Sequence, residues 1–196
     1  MKAKSGFILL EQNEFSSWLN MQNITRNIKL IQHHHTYVPS YKDFKDDNHF
    51  KLCENMRNYH KNVNGWKDIA QNFTIFPDGK IVVCRDINTI PAGIKGANTY
   101  GVCIENVGNF DKNKDIMSAE QQNAIILVTK ILLKKFSLTP NDQSIVYHHW
   151  YDLNTHKRVT VEGKGVTKSC PGTNFFGGNT IVDFNNNFLP LIMKQD

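Results

Sequence analysis

Two segments of the chain repeat apolar residues at the spacing of an amphipathic α-helix, and two later segments begin with a capping box, which also predicts a helix. In the first segment, Phe15, Trp18 and Leu19 mark one apolar face. In the third, Ser118 and Gln121 match a capping box, which predicts where that helix begins. The four predicted helices run from Glu11 to Asn20, from Phe50 to His60, from Ser118 to about Phe136, and from Thr180 to Pro190, which ends the last one.

Short runs of β-branched and aromatic residues predict strands between these helices. A hairpin is predicted where the turn residues from Pro77 to Gly79 separate two such runs. A third run is apolar on both faces apart from Glu105 and Asn106, which is typical of a strand at the centre of a covered sheet. The predicted strands cover residues 27–33, 73–76, 81–84, 100–107 and 144–147.

The interleaving of helices and strands predicts one α/β domain, in which helices flank a central mixed β-sheet. A chain of 196 residues suits one domain with a sizeable core, and 40% hydrophobic and 21% charged residues are ordinary for a globular protein. The sequence shows no internal repeat and no linker. We therefore assign residues 1–196 to this one domain.

The composition of the chain indicates where the protein is made and which partners it could bind. No apolar run approaches the roughly 20 residues of a transmembrane helix, so we expect no membrane insertion. The run from Phe7 to Leu10 is too short for a signal-peptide core, so we expect synthesis in the cytoplasm without a signal peptide. The net charge of +5 fits either a solvated basic surface or an anionic partner. Nucleic acid is not the predicted partner, because the basic residues are scattered.

Candidate chemistry lies in the segment from Thr167 to Gly172, where Cys170 precedes a Pro-Gly pair and follows a lysine by two positions. Histidine clusters at 33–35 and 148–149 each follow a predicted strand. Two imidazoles and one thiolate make a three-ligand zinc set at the strand ends, with the fourth position left for water, as in catalytic zinc sites. The other cysteines have no metal-binding spacing, so we expect all four to be reduced and only Cys170 to do chemistry.

Several motifs in a specific order resemble those of the type-2 N-acetylmuramoyl-L-alanine amidases, which share a fold with peptidoglycan recognition proteins. The resemblance extends from about Ile31 to Phe188. The motifs are the run from His34 to Thr36, the segment from Gly65 to Phe73, the turn from Pro77 to Gly79, the pair Arg85-Asp86, the segment from Gly101 to Glu105, and the run from Lys168 to Gly172.

The resemblance implies one zinc ion per chain, held by His34, His148 and Cys170. The implied reaction is hydrolysis of the amide between the lactyl group of N-acetylmuramic acid and L-alanine in bacterial peptidoglycan. The resemblance also implies that Lys168 stabilises the oxyanion of this reaction. The alternative is a module of the same fold that binds peptidoglycan without cutting it. Such modules typically lack the cysteine, which is present here and favours the enzyme.

One position departs from the resemblance. Many members carry a tyrosine where this chain has Gln71, so we predict that the Gln71 amide contacts substrate by hydrogen bonding. Glu105 is then the candidate acid–base group. A carboxylate in a buried strand is costly unless it is compensated. The alternatives for Glu105 are an ion pair with Arg85, exposure at the strand end, or a place beside the reacting water.

The other histidines are expected to be structural or exposed. We take His33, His35 and His149 as structural or exposed, with orientation of a metal ligand as the alternative, and we place His49, His60 and His156 at the surface. We expect a monomer that acts on the cell wall after release from the cell, as in phage-type lysis. We see no separate wall-binding domain after Phe188, so either the chain is the catalytic part of a longer protein or its basic surface does the targeting.

Overall fold

A computed structural model of the protein describes residues 1–159, 161 and 163–194. The strands are β1 (Lys2–Lys4), β2 (Phe7–Leu10), β3 (Leu30–His35), β4 (Phe73–Ile75), β5 (Ile81–Val83), β6 (Gly101–Asn106) and β7 (Ile145–Tyr147). The helices are α1 (Gln12–Asn20), α2 (His49–Asn62), α3 (Ala119–Lys135), α4 (Ile181–Asp183) and α5 (Leu189–Met193). None of the helices in these residues is both long enough and apolar enough to cross a membrane.

All seven strands belong to one sheet with the order β1-β2-β5-β4-β6-β3-β7. β3 lies between β6 and β7 and runs parallel to both, and β4 runs parallel to β6. The other pairs are antiparallel. The predicted mixed sheet with flanking helices is therefore confirmed, with β4 at its centre and β6 next to it. Because parallel strands end on the same side, the carboxyl ends of β6, β3 and β7 lie side by side.

The alternation of side chains along the strands separates two apolar cores. Phe73 and Ile75 face the larger core, which α1, α3 and the C-terminal helices cover. Val82 faces the smaller core, where Leu52 and Met56 of α2 pack against the sheet. The helix α2 therefore forms one wall of the molecule by itself, on the same face of the sheet as the candidate site.

The third helix begins where the sequence predicts. The Ser118 hydroxyl accepts a hydrogen bond from the backbone N–H of Gln121 at 3.1 Å. The Gln121 side chain enters the core and donates to the carbonyls of Ile75 and Val107, at 3.0 and 2.9 Å. Its buried amide thereby satisfies the backbone carbonyls of the last residue of β4 and of the residue after β6, and fixes α3 against the sheet.

The N-terminal hairpin has no counterpart in the prediction. β1 pairs antiparallel with β2, with Lys2 opposite Leu9, and Ile8 of β2 pairs with Val83 of β5. All three residues of β1 are exposed, so its sequence lacks the apolar alternation that marks a half-buried strand. Lysines on an edge strand are instead typical of sheet edges that avoid further pairing.

The prediction that Pro190 ends the last helix is wrong. The chain stays helical from residue 181 to residue 193, and residues 184–188 form a wider π-helical turn. The backbone N–H of Leu189 reaches back five residues to the carbonyl of Phe184. Pro190 then lies in the first turn of α5, where a missing N–H carries no cost.

Candidate metal centre and cleft

Three side chains from distant parts of the sequence meet where β3, β6 and β7 end. His34 lies in β3, and its register partner in β6 is Glu105. His148 follows β7 directly, in a short 3-10 turn. Cys170 lies on a later loop, and its carbonyl accepts a hydrogen bond from the backbone N–H of His149 at 2.7 Å. Parallel pairing of the three strands therefore brings His34 and His148 together, and the backbone bond to His149 places the Cys170 loop beside them.

The geometry of the three donors fits a zinc ion. His34 Nδ1 lies 3.3 Å from His148 Nδ1 and 3.5 Å from Cys170 Sγ. One donor atom from each residue lies within 4.8 Å of the other two. With usual zinc bond lengths, a tetrahedral ion separates two nitrogen ligands by about 3.3 Å, and a nitrogen from a sulfur ligand by about 3.6 Å. Two of the three donor separations therefore match tetrahedral zinc, and the described residues offer a donor set that could hold the ion.

Burial keeps both imidazoles in the neutral form that binds metal ions. It lowers the pKa of His148 to about 4 and the pKa of His34 well below its ordinary value. For the Cys170 thiol, burial and the Glu105 carboxylate raise the pKa well above its ordinary value, whereas a backbone hydrogen bond from His35 lowers it. A bound cation would favour the thiolate and so lower the pKa of Cys170.

Glu105 is largely buried beside the first imidazole. Its side chain is 16% exposed, and its Oε1 lies 4.0 Å from His34 Nδ1. Within the described residues, its Oε2 has no hydrogen-bond partner. Burial raises the pKa of Glu105 to about 8, opposed by the positive charge of Lys168. The alternative of an ion pair with Arg85 is wrong. That guanidinium donates to the carbonyls of Ile69, Ile90 and Asp68.

The donors line an open cleft with two lobes. The first lobe, of about 420 Å³, contains His34, His148, Cys170 and Glu105, with Lys168 on its wall. A second lobe of about 570 Å³ adjoins it along α2. The residues Thr36, Tyr37, His60 and Glu105 line both lobes. This shape suits a ligand that extends away from the donor atoms.

A profile of the N-acetylmuramoyl-L-alanine amidase family matches residues 24–173, which include all three donor residues. The chain belongs to this family. The resemblance drawn from the sequence motifs is therefore confirmed.

Amidases and recognition proteins both occur among the characterised relatives of this family member. Human N-acetylmuramoyl-L-alanine amidase is 34% identical over 82 residues, which are 39% of this chain and 13% of the human protein. Peptidoglycan-recognition protein SC1a of Drosophila melanogaster is 33% identical over 125 residues, which are 64% of this chain and 58% of that protein. The chain thus spans well under two thirds of the length of these relatives.

Solved structures show the same amidase fold. An endolysin N-acetylmuramoyl-L-alanine amidase from Clostridium intestinale superimposes with a TM-score of 0.54 at 24% identity, covering 76% of this chain and 78% of its own. Drosophila PGRP-LB superimposes with a TM-score of 0.59 at 20% identity, covering 82% of this chain and 88% of its own.

Among the residues predicted for the amidase site, Gln71 is the one that does not reach the cleft. Its side chain is fully buried, and its amide donates to the Thr74 hydroxyl at 2.8 Å. Neither lobe includes Gln71 among its lining residues. The side chain folds inward because Thr74, on the same face of the sheet as Glu105, offers an acceptor there. The predicted substrate contact of Gln71 has no support from this arrangement.

Three of the remaining histidines, His33, His35 and His49, are buried. His33 and His35 are buried, and His33 Nε2 lies 3.0 Å from the Thr129 hydroxyl. The expectation that His49 lies at the surface is wrong. It is fully buried against the ring of Phe76 and bonds to Asp78 at 2.9 Å. His49, the first residue of α2, faces the sheet. Helical spacing alone did not predict this orientation.

The second lobe of the cleft was not predicted from the sequence. Its outer wall contains Tyr37 and Val38, which are 54% and 68% exposed. These residues lie between the predicted strand at 27–33 and the predicted helix from Phe50 to His60, where the sequence predicts no element. Their apolar side chains, close in sequence to the histidine cluster at 33–35, were the signal that could have indicated this lobe. The helical pattern of α2 did not reveal that Met56 and Tyr59 line a cleft as well.

Proposed function

We propose that this protein is a zinc-dependent amidase that hydrolyses the bond between N-acetylmuramic acid and L-alanine in bacterial peptidoglycan. The observation that carries this proposal is the convergence of two imidazoles and one thiol inside an open cleft, with His34 Nδ1 at zinc-ligand spacing from the other two donors. Three protein ligands leave one position for water, which is the arrangement of catalytic rather than structural zinc sites. Membership of the amidase family supports the same reaction class.

The proposed reaction divides its roles among five residues. His34, His148 and Cys170 hold the zinc ion, which when bound lowers the pKa of a coordinated water to about 7 and polarises a carbonyl oxygen. Glu105 takes the proton of the attacking water and returns a proton to the leaving alanine nitrogen. Lys168 places its ammonium group on the cleft wall, where it stabilises the oxyanion that develops on the lactyl carbonyl.

A second candidate function is recognition of peptidoglycan without hydrolysis. It is favoured by the similarity to a Drosophila protein named as a peptidoglycan-recognition protein. The complete donor set favours the enzyme, because binding an extended ligand in the cleft requires no metal ligands. Host lysis of the phage type is the setting we propose for the activity. A fall in the turbidity of bacterial cells exposed to the protein tests that setting, and unchanged turbidity with cut peptidoglycan contradicts it.

Release of dye from labelled peptidoglycan tests the enzyme, because a binding module releases none. We expect one zinc ion per chain, loss of release with a chelator, and recovery when zinc is added. His34→Ala and His148→Ala abolish release, whereas His149→Ala keeps most of it because the backbone bond to Cys170 remains. Cys170→Asp retains some release, since carboxylate is an accepted zinc ligand, and Cys170→Ala does not. Full release from metal-free protein would refute the zinc requirement.

Replacement of the buried carboxylate tests the acid–base role. Glu105→Gln preserves shape and removes charge, and we expect kcat to fall by about 10²–10⁴, the range for a lost acid–base group. The variant should remain folded and loaded with zinc. Glu120→Gln, at an exposed position on α3, is the matched control and should leave kcat unchanged. A Glu105→Gln variant with nearly wild-type turnover would assign the base to another group.

Replacement of the lysine tests the proposed oxyanion contact. Lys168→Ala should lower kcat by about 10²–10³, the usual cost of one lost oxyanion donor, while KM and zinc content change little. Lys164→Ala removes an exposed lysine from the same stretch of chain and serves as the control. Steady-state kinetics on a soluble muropeptide measures both. Equal kcat values for the two variants would place Lys168 outside the reaction.

A further inference from the structure

The loop that carries Cys170 is tied to another loop by one carboxylate. The Ser169 hydroxyl donates to Asp111 Oδ2 at 3.1 Å, and the backbone N–H of Thr173 donates to Asp111 Oδ1 at 3.1 Å. These two contacts lie on either side of Cys170 in the sequence. Both oxygens of Asp111 are therefore used to fix the short segment that contains the sulfur donor.

Backbone contacts hold the same two loops in register. The backbone N–H of Asn174 donates to the Phe110 carbonyl at 2.8 Å. Gly172 has a φ of 118°, and a Cβ at that position would lie 2.4 Å from the Phe110 carbonyl oxygen. The loops thus pack with no space for a side chain between them. This backbone packing sets the position of Asp111, the residue whose side chain links the two loops.

Cys170 differs from the two imidazole donors in how it is held. His34 lies within β3, and His148 follows β7 directly, so the sheet places both. Cys170 lies in a loop outside the strands, about 3.5 Å from His34 Nδ1. A donor on a loop needs support from neighbouring groups to stay within bonding distance of a metal ion.

We propose that Asp111 is a positioning residue for the metal centre, and that its carboxylate holds the Cys170 loop so that the sulfur faces the two imidazoles. The inference rests on the zinc site of the proposed function. It assigns to Asp111 no contact with substrate or with the reacting atoms. Its effect is on metal affinity, through the place of one ligand.

A nearby carboxylate provides a matched control. Asp115 lies in the same loop and accepts hydrogen bonds from the backbone N–H groups of Tyr41 and Asn109, at 3.1 and 2.8 Å. Its described bonds do not involve residues 169–173. Asp115→Ala therefore removes a carboxylate that orders the loop, without removing a contact to the Cys170 segment.

The test is a zinc titration of metal-free protein against a chromophoric chelator. Asp111→Ala should bind zinc about 10–100-fold more weakly than the wild type, the usual effect of losing a group that supports a ligand. Asp111→Asn should keep most of the affinity, because its amide can accept from Thr173 and donate to Ser169. Asp115→Ala should keep wild-type affinity. The melting temperature of each metal-free variant separates loss of affinity from loss of fold.

Cobalt substitution gives a second readout that loop ordering alone does not move. In the wild type and in Asp115→Ala, Co²⁺ should show the near-ultraviolet absorption of a cobalt–thiolate bond, and in Asp111→Ala this band should weaken or shift. If Asp111→Ala does not fold, Ser169→Ala removes the bonded hydroxyl alone and should give a smaller loss of zinc affinity in the same direction.

Equal zinc affinity in the wild type and in Asp111→Ala, or equal losses in the Asp111 and Asp115 variants, would overturn the positioning role. A wild-type protein that binds no zinc would overturn the zinc site and this inference with it. The two failures are therefore distinguishable in one series of titrations.

Discussion

The pairing of β3 with β6 on one side and β7 on the other is the constraint on which the site depends. All three strands run in the same direction, so His34, Glu105 and His148 arrive at one edge of the sheet. The edge is buried, and burial disfavours the charged form of every ionisable group there. Burial is the main reason that the pKa of Glu105 rises to about 8 and that of His148 falls to about 4, with the charge of Lys168 lowering both values. Two imidazoles, a thiol and a carboxyl group in such a place are the features of a centre that a cation would complete.

The two faces of the sheet have different roles. The larger core, under α1, α3 and the C-terminal helices, supplies most of the apolar burial. The helix that packs on the smaller core is α2, and two of its residues there, Leu52 and Met56, also line the second lobe. The face that carries the chemistry thus has one helix on it, which leaves space for a cleft. Deep burial on the opposite face keeps the sheet in place while this face stays open.

Much of this arrangement could be predicted from the sequence, because its causes are local. The apolar periodicity of α1 and α2, the Ser118 cap and the hairpin at Pro77 to Gly79 depend on neighbouring residues, and the structure contains all of them. The two histidine clusters and Cys170 could be found because imidazoles and a thiol beside strand ends have few other uses, and the resemblance to the amidases then selected His34 and His148 within the clusters. The convergence of the three donors depends on strand order, which no local pattern encodes.

The incorrect predictions have causes that a local pattern does not carry. A polar three-residue edge strand such as β1 has no apolar signal, and only pairing with β2 defines it. Pro190 fits because a π-helical turn precedes it, which depends on long-range packing of Phe184 and Phe188. Gln71 turns away from the cleft because Thr74 offers its amide a buried partner. In each case, tertiary contacts override what the neighbouring residues predict.

The most direct test of the central claim is mass spectrometry of a defined muropeptide, an N-acetylmuramoyl group linked to a stem peptide, after incubation with the zinc-loaded protein. We expect two products: the sugar with a free lactyl carboxylate and the peptide with a free L-alanine amino group. The sum of their masses should exceed the mass of the substrate by one water. A cut at any other bond, or an intact muropeptide that the zinc-loaded protein binds without cleaving, would contradict that claim.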